Sequence, residues 1–152
     1  MNSNNNTTPS ATLDALLSRM QSSKQKGPAR SKEEVSFATA MVLMEIASCD
    51  YTVDRFEKNV IHNGLKALFK LSDESASNLM NRAKAQLSSM RGSSEHAEIL
   101  RDSLDISAKR AVAQVIDNLI RCNGVVTGGE VYLRKRFREI MEIPEEVLGH
   151  VE

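Results

Sequence analysis

Apolar side chains recur along this chain at intervals of three and four residues, and no stretch shows the apolar and polar alternation of a strand. The pattern predicts an all-α fold, a helical bundle. Residues 1–11 are mostly Asn, Ser and Thr, too poor in apolar surface to offset the entropy of ordering, so a disordered tail is expected there. Leu13, Leu16, Leu17 and Met20 then share one helical face before Gly27-Pro28 breaks the pattern. Residues 12–30 therefore read as a short docking helix followed by a linker made basic by Lys24, Lys26 and Arg30.

The main domain, residues 31–152, opens with Ser31-Lys32-Glu33-Glu34, the Ser-x-x-Glu form of a capping box. Behind it, residues 37–49 are apolar on nearly every side, as a helix enclosed by neighbours must be. Residues 54–70 gather Val60, Ile61, Leu65, Leu68 and Phe69 on one face. Ser72-Asp73-Glu74 opens a further helix with Leu79, Met80, Ala83 and Leu87 as its stripe, ending near Met90. A weaker helix over 95–104 precedes a second apolar run, 108–122.

Laying the run that ends at Cys49 over the run that ends at Cys122 exposes an internal repeat. The same number of residues separates Cys49 from Cys122 and Glu57 from Glu130, and each Glu starts an amphipathic helix. The second copy reaches its closing boundary, Ile143 to Glu146 against Leu71 to Glu74, one residue sooner. Two related helical hairpins are implied, with 37–49 and 108–122 as the most buried helices, packed against each other. Asp54-x-x-Glu57 and Thr127-x-x-Glu130 both fit a capping box, a structural duty worth about 1 kcal/mol per cap.

Composition narrows the chemistry. Lys plus Arg equal Asp plus Glu at 20 each, so no whole-molecule field steers the chain onto nucleic acid or an anionic surface. Arg134, Lys135, Arg136 and Arg138 form the strongest basic stretch, but Glu130, Glu139 and Glu142 offset it at ion-pair spacing. Aromatic residues are 4% and Trp is absent, which disfavours base-stacking platforms and sugar-binding walls. No apolar run approaches the roughly 18 residues of a membrane span, and no leader pattern is present. Two cysteines make no disulfide framework, so the expected setting is the reducing cytoplasm, without nucleic acid or membrane insertion.

Catalytic residues are not expected. His62, His96 and His150 lie apart without metal-site spacing, and Cys49 and Cys122 close apolar runs as small buried hydrophobes would. No nucleophile elbow or phosphate loop occurs, and no cofactor-binding residue stands out. The one oxygen-rich turn carries Asp50, Asp54 and Glu57, which suit calcium, magnesium or manganese. It is not an EF-hand, since Arg55 and Ile61 occupy the positions that need Gly and Glu. The matching turn, with Asn123, Thr127 and Glu130, offers one formal charge and a poorer site.

Over about residues 35–147 the repeated pattern resembles the TerB family of tellurite resistance and stress-associated proteins, whose signature is an apolar helix, Asp-Gly-x-hydrophobic, then Glu. Asp50, Val53 and Glu57 match it in the first copy, with Tyr51 in place of Gly; Gly124, Val126 and Glu130 match it in the second, with Asn123 in place of the acid. The resemblance implies about seven helices with pseudo-twofold symmetry, and links to the cell envelope, metal or oxyanion stress and co-chaperone-like assemblies. The expected function is a non-enzymatic module that binds another protein, with self-association left open. The alternative is a cation-responsive domain using the Asp50, Asp54 and Glu57 turn.

Overall fold

Six helices form from the residues that the computed structural model describes, namely 30–48, 53–122, 124 and 126–143. They are α1 (Lys32–Ala47), α2 (Arg55–Phe69), α3 (Asp73–Met90), α4 (Glu95–Ser103), α5 (Ile106–Arg121) and α6 (Gly128–Met141), and no strand occurs among the described residues. The bundle is thus all-α as expected. The tail over 1–11, the docking helix and linker up to residue 29, and Cys49, Asp50, Asn123 and His150 lie outside the described residues.

Local chemistry sets where each helix starts. The Ser31 hydroxyl accepts the Glu34 N–H at 3.1 Å while the Glu34 carboxylate accepts the Ser31 N–H at 3.2 Å, so two of the orphan donors of α1 are satisfied. Asp105 starts α5 by accepting the Ala108 N–H at 2.9 Å, two residues upstream of the apolar run visible in the sequence.

Helix α1 touches each of the other five helices, most extensively α3 and α4. Twelve of its 16 residues are buried, among them Leu43 and Ile46 with no exposed surface, because apolar side chains ring it on all sides. Helix α5 has the next most buried residues and does pack on α1, but its larger partner is α2. The pairing of the two apolar helices therefore holds as a contact and not as the main axis of the bundle. The reason lies in α5 itself: Arg110, Gln114, Asn118 and Arg121 form an exposed stripe, so only one side of it is enclosed. Close approach of α2 and α5 depends on Gly64, where a Cβ would stand 2.8 Å from Val115 Cγ1.

Helices α2 and α6 are built alike. Both begin in a complete capping box, and both end on a non-glycine residue in the left-handed region, Lys70 at φ 55° and Glu142 at φ 60°. After each, the chain closes with the same wide turn, Leu71 N–H to Lys66 C=O at 3.2 Å and Ile143 N–H to Arg138 C=O at 3.0 Å. Helix α6 is one residue shorter than α2, 14 against 15.

Candidate functional site

Each hairpin turn is organised by its cap. Asp54 Oδ1 accepts the Glu57 N–H at 2.8 Å, and Glu57 Oε1 accepts the Asp54 N–H at 3.0 Å. In the other turn Thr127 Oγ1 accepts the Glu130 N–H at 3.1 Å and Glu130 Oε1 accepts the Thr127 N–H at 3.1 Å. Both glutamates are buried, Glu57 at 5% and Glu130 at 4% exposure, so one oxygen of each is committed to backbone and neither is a freely solvated carboxylate.

Carboxylates from both turns act on one thiol. Burial pushes the Cys122 thiol up from its ordinary range, and the negative charges of Glu57, then Asp54, then Glu130 push it further in the same direction. The thiol is thereby held protonated, the opposite of what a nucleophile or thiolate ligand needs. Of the residues expected to hold a cation, Asp54, Glu57 and Glu130 are near enough for their charges to act on the Cys122 thiol, while Asp50 and Asn123 lie outside the described residues. Among the described residues no group of three or more His, Cys, Asp or Glu is arranged to hold a metal ion.

Beside these caps stand large apolar side chains in water. Phe56, in the first turn of α2, is 52% exposed, and Tyr132, one turn into α6, is 64% exposed, with Val131 next to it also exposed. The sequence carried a signal for both, since neither falls on the apolar stripe of its helix. The Arg55 guanidinium lies 5.7 Å from the centre of the Phe56 ring.

The basic run of α6 is dispersed into separate contacts. Arg134 reaches across to Asp117 of α5 at 2.7 Å in a nearly dry pair, and Arg136 donates to the Gly92 carbonyl at 2.9 Å. The spacing had suggested Glu130 for Arg134, but Glu130 takes the cap N–H and Arg134 finds its acid on the neighbouring helix. Gly92 shows a connection that sequence reasoning missed. Its N–H donates to Glu45 of α1 at 2.9 Å while its carbonyl accepts Arg136 of α6, so the α3–α4 turn is held at both ends of one residue. The hint was Glu45 itself, a lone buried acid in an otherwise apolar run.

The described histidines serve separate places. His62 Nε2 lies 3.2 Å from the Asp73 carbonyl, and His96 meets the Phe37 ring edge to face at 5.6 Å between centres. No helix among the described residues is long and apolar enough to cross a membrane.

A family model described as tellurite resistance protein TerB matches residues 36–148 of this chain. No curated protein and no solved structure matches it.

Proposed function

The chain belongs to the TerB family of tellurite resistance proteins, and on that premise we propose a non-enzymatic module that binds another protein where the α1–α2 and α5–α6 turns meet. The observation that carries this reading is the exposure of Phe56 in the first turn of α2 and of Tyr132 one turn into α6, on helices whose capping carboxylates both act on Cys122. Aromatic side chains left in water at rigid positions are the anchors that interfaces use, because they bury large areas at little conformational cost. The protonated Cys122 supports a binding duty over thiolate chemistry at these turns. The reading puts that binding in a cytoplasmic stress or envelope-associated response, supported by the family's link to tellurite resistance. The like caps and like left-handed ends of α2 and α6 support two copies of one hairpin related by a pseudo-twofold axis.

The test is crosslinking in cells with the wild-type chain, a Phe56→Ser, Tyr132→Ser variant and a Lys84→Ala control on exposed α3 surface. A partner held by the wild type and the control but lost by the double variant supports the reading. Equal capture by all three sinks it.

A cation-responsive domain is the second reading, favoured by the negative charges of Glu57, Asp54 and Glu130 that both turns bring to bear on Cys122. Calcium, magnesium or manganese would take oxygens from Asp50, Asp54 and Glu57, with Asn123 and Glu130 contributing from the second turn. A melting-temperature rise in millimolar ion that vanishes in Asp50→Asn, Glu57→Gln supports it. Gln still closes a capping box, so that variant removes charge and keeps the cap. No rise with any of the three ions removes the reading.

A further inference from the structure

Two exposed stripes on neighbouring helices share one composition. Arg55, Asn59 and Asn63 on α2, with Lys70 at its end, and Arg110, Gln114, Asn118 and Arg121 on α5 all face water, and each stripe reads cation, amide, amide, cation. Carboxylates are withdrawn from both. Glu57 and Asp117, the acids within these helices, are buried, one in its cap and the other against Arg134, while Asp54 and Asp105 cap the helix starts. The Asp73 carboxylate of α3 that reaches α2 is taken up by Lys66 at 2.6 Å. Close packing of Gly64 against Val115 joins the two helices, and with them one basic, amide-rich face. Helix α4 is its counterpart, since Glu95, Glu98 and Asp102 are exposed at i, i+3 and i+7 spacing as one acidic stripe. Helix α4 packs on α1 and α6, whereas the main contacts of α2 and α5 leave it out, so the two faces do not meet within one molecule. We propose that the acidic stripe of α4 docks on the α2 and α5 face of a second copy, so that chains join head to tail.

Charge and length commit the face to that occupant. The chain carries zero net charge, so two copies meet without overall repulsion and the local charges decide. The acidic stripe spans about 10 Å and fits within the about 16 Å that separates Arg110 from Arg121 along α5, which sets cations at both its ends. The amides between those cations donate hydrogen bonds to carboxylates without bringing a further charge out of water. Because the two faces differ, each contact leaves one of them open at either end, and assembly continues past a dimer. The contact does not draw on Phe56 or Tyr132.

Sedimentation of the full chain at about 20 mM and about 500 mM salt tests it, with Arg110→Glu, Glu98→Lys, the two combined, and Lys84→Glu on α3 as a control that changes net charge as Arg110→Glu does. Matching far-UV circular dichroism shows that all four variants are folded. The expected result in low salt is a weight-average mass that climbs with concentration to more than about twice the monomer and falls back to the monomer in high salt. Arg110→Glu and Glu98→Lys each stay monomeric, and Lys84→Glu behaves as wild type. The combined variant, with its charges exchanged across the contact, associates again. A wild type that is monomeric at every concentration overturns the proposal, as does a mass that stops at the dimer. Equal loss in Arg110→Glu and Lys84→Glu makes net charge the cause and overturns it too, and so does a combined variant that fails to recover.

Discussion

The Asp117 to Arg134 pair is the residue-scale contact with the most at stake. Both side chains are largely out of water, and removing one leaves the other charge in a poorly solvated place. Asp117→Ala is expected to lower stability by about 3 kcal/mol in chemical denaturation. The surface pair Lys66 to Asp73, whose carboxylate is fully in water, should contribute far less by the same measurement. His96 sets a pH response. Burial against Phe37 lowers its proton affinity, and the opposing pull of Glu95 and Glu45 only partly offsets that. The fold therefore favours the neutral ring, so the stability it contributes is complete above the ordinary histidine range and is lost as pH falls through it. Denaturation midpoints should drop between about pH 7.5 and about pH 5.5 in wild type, and drop less in His96→Phe. A parallel decline in both proteins would assign the effect to other groups. At this scale the caps were legible, because Ser31 with Glu34, Asp54 with Glu57, and Thr127 with Glu130 each lie within four residues. The Glu45, Gly92 and Arg136 chain was not, since its members are brought together only by packing.

At the scale of elements, the enclosed helix and the half-enclosed helix should answer mutation differently from the surface. Leu43→Ala in α1 removes a side chain with no exposed surface and should cost about 2 to 5 kcal/mol, whereas Lys84→Ala on α3 should change stability by less than about 0.5 kcal/mol. Equal tolerance of the two in urea denaturation would undo the assignment of α1 as the enclosed helix. The contact of α2 with α5 makes a sharper case. In an open helix, Gly64→Ala would stabilise by about 1 kcal/mol, but here its methyl meets Val115 and the helices must part, so a loss of about 1 to 3 kcal/mol is expected. Val115→Ala opens that space, and Gly64→Ala added to it should be neutral or stabilising in a double-mutant cycle. The sequence marked the helices and nearly all their ends, because Gly92, Asp105 and Thr127 are local stop and start signals. It overstated α5 as a second enclosed helix, although the spacing of Arg110, Gln114 and Asn118 already held the polar stripe.

For the whole molecule, the order of helices followed from periodicity, and which helices touch did not. A repeat in sequence suggested that residues 37–49 and 108–122 would face each other as equals, yet α1 packs substantially on every other helix, whereas the main contacts of α5 are with α1, α2 and α6. Likeness between α2 and α6 is local, in their caps and left-handed ends, and does not extend to the long-range packing of α1 and α5. The place of α1 has a mechanical consequence. Pulled from the side of Arg30, the chain surrenders its innermost helix first, and the five others lose their common neighbour in one step. Pulled from the side of Ile143, it yields α6 from the periphery and can give way helix by helix. The same fold is thus brittle toward a force at one end and ductile toward a force at the other.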